Sequence, residues 1–205
     1  MNTTVRITLK LIPDSLQTQP VFLCVDDTMV SKFGTKFENV SKLFDHAAHN
    51  GSNYLNGHCF VSVMLCVPVW NRDKVSYLSV PLGYRMWQKK ESKLELAASM
   101  VRQVMPAFAS RKNVIILCDS WYAKKNLVCV VDEYPNLDLI CNARYDSVIY
   151  APAPQRTGKR GRPAKHGERL SPDKDFSLSD DKIGDYYIGV RRVLTNIFGH
   201  REVLA

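Results

Sequence analysis

Two apolar runs of five residues, 21–25 (VFLCV) and 114–118 (VIILC), each pass straight into aspartate: the first into Asp26-Asp27-Thr28, the second into Asp119-Ser120-Trp121. A short run that is apolar at every position predicts a strand covered on both faces, the usual state of a parallel strand inside an α/β sheet. Such a sheet presents its chemistry at the carboxyl ends of its strands, where the aspartates stand. Between the two runs, residues 58–67 and 75–80 are strand-like and flank the polar turn Asn71-Arg72-Asp73-Lys74, which predicts an antiparallel hairpin ended by Pro81. Over residues 92–109 the apolar period changes to about 3.6. Leu94, Ala97, Ala98, Val101, Val104, Met105 and Phe108 form one stripe of an amphipathic helix, kinked or ended at Pro106. A second helix over 122–133 turns Leu127, Val128 and Val131 inward, and residues 137–141 make a short strand. Ahead of the first run, Val5, Ile7 and Leu9 alternate with Arg6, Thr8 and Lys10, the pattern of a short edge strand. Residues 35–57 read as a long loop with at most a helical turn near Val40 to Phe44.

Past Arg144 the patterning weakens. Val148-Ile149-Tyr150 closes a strand that Ala151-Pro152-Ala153-Pro154 cannot continue, because proline has no amide hydrogen for the ladder. Residues 155–169 hold six Lys or Arg and one Glu among Gly and Pro, an extended or disordered basic loop. Residues 170–184 read as a polar, acidic linker, and 185–197 regain β character. The expected organisation is a leader or remnant of a preceding region at 1–20, a core at 21–145, and a basic loop with a partial β-rich insertion at 146–205.

The charge balance sharpens this picture. The formal net charge is +8, and +5 of it lies in the basic loop, so polyanions are expected partners. The six cysteines show no CxxC spacing and lie in apolar runs or on helix faces, as small buried hydrophobes in a reducing compartment do. No secretory signal opens the chain, and no apolar run approaches the ~18 residues of a membrane span, so a membrane partner is excluded.

A meander followed by right-handed crossovers through helices would lay the fourth strand parallel to the first, bringing Asp26 and Asp119 to adjacent strand ends. Two carboxylates that close repel unless a cation joins them, and Mg2+ or Mn2+ suits hard oxygen donors. A pair of such ions about 3.5–4 Å apart serves phosphodiester chemistry. The residues leave alternatives open: Asp119 as a helix cap, Asp26 and Asp27 as an Asx-type turn, and Asp27 in place of Asp26. Lys32, Lys124 and Lys125 are candidate phosphate contacts, and so are Arg156, Lys159, Arg160, Arg162 and Lys165 in the basic loop. His46, His49 and His58 are too irregularly spaced for a metal set.

In their order and spacing, these segments resemble the ribonuclease H-like catalytic core of bacterial insertion-sequence transposases, the group that uses an Asp, Asp, Glu triad. Asp26-Asp27-Thr28, followed by Lys32 and Gly34, resembles the first acidic motif, Asp-x-Thr, and LCDSWYAKK resembles the second. Cys141-Asn142-Ala143-Arg144 matches a strand ending in arginine, and RTGKRGRPAKHG resembles the basic run that opens a β-rich insertion. The resemblance implies an α/β fold with a ribonuclease H-like mixed sheet: three antiparallel strands, then helix, strand, helix, strand, and the start of the insertion. It implies Asp26 and Asp119 as catalytic metal ligands, with Asp27 the competitor for the first role, and Trp121 as an aromatic beside the second aspartate for stacking on a flipped base. Further implications are Mg2+ or Mn2+ as cofactor, double-stranded DNA of transposon ends and target as partner, a homodimer on DNA, and a bacterial cytoplasmic, nucleoid-associated location. The activity implied is metal-assisted DNA strand cleavage, followed by attack of the freed 3′-hydroxyl on target DNA. In the family the third carboxylate lies on a helix after the insertion. No such helix is legible here, and Glu202 follows β-like sequence instead. The chain is therefore expected to be the middle of a transposase cut at both ends. Alternatives are an inactive DNA-binding remnant or another ribonuclease H-like nuclease, although Glu91, Glu95 and Glu133 suit the latter poorly.

Overall fold

A computed structural model describes residues 1–34, 36–44, 53–111, 113–144, 146–155, 161–198 and 201–205. Two compact units follow one another along the chain, Met1–Asn142 and Ala143–Ala205.

In the first unit, helix α1 (Asn2–Leu9) precedes strands β1 (Val21–Ser31), β2 (Ser41–Phe44), β3 (Tyr54–Asn71) and β4 (Lys74–Met86). Helix α2 (Lys93–Val104) runs into a 3-10 turn, Met105–Phe108; strand β5 (Val114–Cys118), helix α3 (Lys125–Val131) and strand β6 (Leu137–Cys141) complete the unit. The sheet order is β2-β3-β1-β5-β6, with β4 also paired to β3. β3 is antiparallel to β1 and β4, whereas β1, β5 and β6 run parallel. This is a mixed α/β fold, broadly consistent with a ribonuclease H-like core.

One face of the sheet carries the core. Val21, Leu23, Val25, Val61, Val63, Leu65, Val114 and Ile116 share a buried cluster with Ala97, Met100, Val101, Val104 and Phe108 of the helical segment, and with Val5, Leu127 and Val130. The other face is only half covered: Phe22 and Cys24 in β1 alternate with fully buried neighbours, so the apolar run does not report two equally buried faces. Helix α2 begins with a reciprocal capping box. Ser92 Oγ accepts from the Glu95 amide at 3.1 Å, and the Ser92 amide donates to Glu95 Oε2 at 2.9 Å. Pro106 falls where the α-helix gives way to the 3-10 turn, since it cannot donate the next intrahelical bond.

Several expectations from patterning are corrected. Residues 2–9 form a helix rather than an edge strand: Val5 and Thr8 share the buried side and Ile7 is exposed, because an eight-residue stretch satisfies either period and packing decides. Residues 41–44 are a strand, not a helical turn, held by pairing with the unforeseen start of β3 at Tyr54. β4 runs through Pro81 to Met86, and a register shift opposite Val63 and Met64 absorbs the proline. α3 starts at Lys125, with Tyr122 in the turn before it. The first twenty residues are built into this unit: Val5, Ile12 and Leu16 belong to its core, and Arg111 donates to Gln17 Oε1 and the Gln19 carbonyl, both at 2.8 Å.

The second unit is mostly β. Strands β7 (Ile149–Tyr150), β8 (Arg169–Leu170), β11 (Arg192–Thr195) and β12 (Arg201–Leu204) form one sheet; β9 (Leu178–Ile183) and β10 (Tyr186–Gly189) form a separate hairpin. The stretch expected to be a linker thus holds β9 and the short helix α4 (Pro172–Asp175). Glu202 lies on β12 and is ion-paired to Arg192.

Candidate active site

β1 does not end at its aspartates. It continues to Ser31 against β3, while its parallel neighbour β5 stops at Cys118, the partner of Val25. The sheet is therefore notched at Asp26, and the chain leaving β5 at Asp119 borders the notch. The expected pair of strand ends is replaced by one strand end beside one continuing strand, because β1 keeps its antiparallel partner after losing its parallel one.

Within the notch, period-2 alternation sends Asp26 and Asp27 to opposite faces. Asp27 continues the buried row Val21, Leu23, Val25. Three donors converge on it. Lys93 Nζ lies 2.8 Å and Cys59 Sγ 3.1 Å from Oδ2, and the Tyr122 hydroxyl donates to Oδ1 at 2.9 Å. The Asp27 and Lys93 side chains are 16% and 19% exposed, shielded enough for the pair to bear on stability. Burial pulls the Asp27 pKa upward, but the Lys93 and Cys59 hydrogen bonds, the Lys93 charge and the Tyr122 hydroxyl outweigh it and leave the carboxyl below its usual 3.8. Lys93 shows the converse: burial disfavours its charge, yet Asp27 holds the ammonium above 10.5. Burial, then the Asp27 hydrogen bond and charge, push the Cys59 thiol up to about 11. Burial and the Asp27 charge likewise raise Tyr122, so its hydroxyl stays protonated as a donor.

Asp26 differs in each respect. It is exposed and pairs across β3 with Ser62, and its Oδ1 accepts from the Asp27 amide at 2.8 Å. Partial desolvation first, then the charges of Asp27 and Asp119, raise its pKa above 3.8 against the lowering effect of the Asp27 amide and the Lys93 charge. Asp119 is close enough to be one of those charges. Its own Oδ1 accepts from the Trp121 amide at 3.0 Å and the Tyr122 amide at 3.1 Å, fixing the turn after β5. Capping and proximity to Asp26 thus coexist, since the amides use Oδ1 and leave Oδ2 outside those bonds.

The split predicts a titration order. Carbon-detected NMR of the two carboxyls should place Asp26 above 3.8 and Asp27 below it; the reverse order would overturn the division of roles. By linkage, stability from the Asp27 pair is complete above pH 3.8 and drains as pH falls through its lower folded pKa. Asp26 works oppositely: the folded chain binds its proton more tightly, so its contribution is lost as pH rises from 3.8 through the raised value.

Around the carboxylates lies an aromatic and cationic shelf. Lys93 Nζ stands 4.9 Å and Lys124 Nζ 4.8 Å from the centroid of the half-open Trp121 ring, which meets Tyr122 edge-on. Lys93, Tyr122 and Cys59 were not singled out by sequence. A lysine just inside a helix N-terminus opposes the helix dipole, and Lys93 in that position was the one available signal of an acidic partner.

Of the other candidates, Lys32 follows the far end of β1 and lies 5.6 Å from the Phe37 ring, and Lys125 is exposed at the start of α3. Arg162 and Lys165 are exposed in the second unit. Arg156, Lys159 and Arg160 lie outside the described residues, as do His46 and His49. His58 donates from Nε2 to the Glu38 carbonyl at 2.8 Å.

Whether a divalent cation suits this site is a question of donor chemistry. Asp26 and Asp119 offer hard carboxylate oxygens, and Asp26 carries the like-charge strain that a cation relieves, so the pair fits such an ion. Asp27 is committed to Lys93, Tyr122 and Cys59. Among the described residues no group of three or more His, Cys, Asp or Glu is arranged to hold a metal. All six cysteines are free. Among the described residues no helix is long and apolar enough to cross a membrane.

The sequence model of a family described as DDE superfamily endonuclease matches residues 3–182. No curated protein and no solved structure matches the chain.

Proposed function

This chain belongs to the DDE superfamily endonucleases, and from that premise we propose that it is the catalytic core of a transposase, acting in metal-dependent cleavage and transfer of DNA strands at transposon ends. Membership supports a nuclease-type function and DNA as the partner in general. The observation that supports the finer reading is the meeting of Asp26 and Asp119, 93 residues apart in sequence and brought together by a parallel pairing, closely enough for one charge to raise the other's pKa.

In this reading Asp26 and Asp119 hold Mg2+ or Mn2+, which when bound would neutralise the scissile phosphate and favour ionisation of the attacking hydroxyl. The chain's own side chains do the positioning. Asp27 ties β1 to the start of α2 through Lys93 and to the Asp119 turn through Tyr122, so both carboxylates sit on one braced frame. Trp121 offers an aromatic face for an unstacked base, with the exposed Lys124 beside it for the phosphates. The fold reading is a ribonuclease H-like sheet in which β1, β3 and β4, joined by the short β2 that the sequence did not reveal, are followed by helix, strand, helix and strand, with the basic loop opening an inserted β unit. Assembly as a homodimer on DNA belongs to the same proposal.

The test is calorimetric titration of Mn2+ into the wild-type chain and into Asp26→Asn. Binding in the wild type that is lost in the variant is the expected result. Binding in neither overturns the metal site and favours a DNA-binding remnant without catalysis. Equal binding in both puts the ion elsewhere.

A further inference from the structure

The loop joining β7 to β8 is braced at its base. Tyr150 pairs with Arg169, the Ala151 amide donates to the Glu168 carbonyl at 2.9 Å, and the Gly167 amide donates to the Ala151 carbonyl at 2.9 Å. Gly167 permits this close approach, since a Cβ there would sit 2.9 Å from both the Ala151 Cβ and the Pro152 carbonyl oxygen. Above the base, the Tyr150 and His166 rings stack at 3.9 Å, and His166 Nδ1 donates to the Gly167 carbonyl at 2.9 Å. One end of the loop's cationic segment is thereby anchored to a strand.

Residues 161–165 then present Arg162 and Lys165 to solvent. All five are exposed, neither cation makes an ion pair among the described residues, and Arg162 to His166 line a shallow concavity of about 500 Å³. The segment is thin. Gly161 has no side chain and adopts φ +140°, a conformation L side chains rarely take, although nothing in the protein crowds it. Pro163 disfavours helical backbone at Arg162, and residues 161–165 form neither helix nor strand.

Shape and charge together select a partner. The DNA major groove, about 12 Å wide, is suited to a helix or a two-stranded ribbon, whereas the minor groove, about 6 Å wide, accepts slender extended arms. A·T-rich tracts narrow the minor groove and deepen its negative potential, which draws in arginine. We propose that residues 161–165 insert into the minor groove of A·T-rich duplex DNA, with Arg162 directed into the groove and Lys165 on the flanking phosphates. This rests on the reading of the chain as DNA-acting, but it uses neither carboxylate nor metal.

The test is fluorescence anisotropy of the full chain in EDTA, on A·T-rich and G·C-rich duplexes of equal length, with netropsin as a minor-groove competitor. The expected result is A·T-rich binding about five- to tenfold tighter and displaced by netropsin. Arg162→Ala should remove that preference and lower the salt slope by about 1, while Arg162→Lys should retain the slope and lose most of the preference. Arg162 is exposed on a loop, so neither variant threatens folding, and the netropsin arm needs no variant. Binding of both duplexes alike, with no netropsin effect, overturns the groove assignment and leaves the DNA reading standing. Tighter binding to duplex RNA than to either DNA also overturns it. Failure to bind any duplex ends the groove assignment and the DNA partner together, while the Mn2+ titration still reports separately on the carboxylates.

Discussion

Asp27→Asn is expected to destabilise the chain by about 3 kcal/mol, the cost of leaving a largely buried charge without its partner, whereas Asp26→Asn next to it should be neutral or stabilising. Around Asp27 three donors meet an acceptor-only carboxylate: the Lys93 ammonium, the Cys59 thiol and the Tyr122 hydroxyl. An asparagine must turn its amide nitrogen toward either Lys93 and Cys59 or Tyr122. It also removes the charge that holds Lys93 protonated above 10.5 in its shielded position. Asp26 accepts from one backbone amide and is otherwise pressed by the charges of Asp27 and Asp119, so neutralising it removes repulsion. Urea denaturation at pH 7 measures both. A loss of about 3 kcal/mol corresponds to roughly 6–12 °C in Tm for a chain of this size. Equal losses in the two variants would show that the adjacent aspartates do not divide their work, and would return Asp27 to contention for the metal.

Asp119→Asn should lower Mn2+-dependent nicking of duplex DNA by at least about a hundredfold, on the scale of removing one preorganised electrostatic group from an active site, while the fold is retained. An asparagine oxygen can still accept from the Trp121 and Tyr122 amides, as Asp119 Oδ1 does, but it brings no charge to the cation. Asp119→Ala separates the two jobs. It should lose nicking equally and also about 1 kcal/mol of stability, because the turn amides lose their cap. A wild-type chain that nicks no duplex in Mn2+ ends the strand-cleavage reading. Nicking in Asp119→Asn within tenfold of wild type would place the second carboxylate elsewhere.

The candidate site was half legible along the chain. Asp26 and Asp119 stood out because each follows a short apolar run, and the pairing of Val25 with Cys118 sets Asp26, within β1, beside Asp119, just past the end of β5. Lys93, Tyr122 and Cys59 did not stand out, since each reaches Asp27 from far away in sequence, at separations of 66, 95 and 32 residues. No local period or motif encodes such a convergence. The misreadings have similar causes. Residues 2–9 alternate as a strand would, yet their apolar side chains also satisfy a helix, and the core around Val5, Ile12 and Leu16 selects the helix. Pro81 reads as a strand end, but β3 carries the pairing past it with a register shift that only the neighbouring strand reveals.

Local chemistry thus determined a good deal unaided: where β1 begins, where β5 and β6 run, where α2 gives way at Pro106, that aspartates follow two short apolar runs, and that the positive charge concentrates in one Gly- and Pro-rich loop. These are properties of single residues and their near neighbours, set by hydrophobic period, backbone restriction and ionisation. The roles of Asp26 and Asp27 were decided only in three dimensions. In a strand, adjacent residues face opposite ways, so the core that forms against one face consigns Asp27 to Lys93 and Tyr122 and leaves Asp26 open beside Asp119. Which face that is depends on where α2 and the turn after β5 pack, and packing is a property of the whole chain.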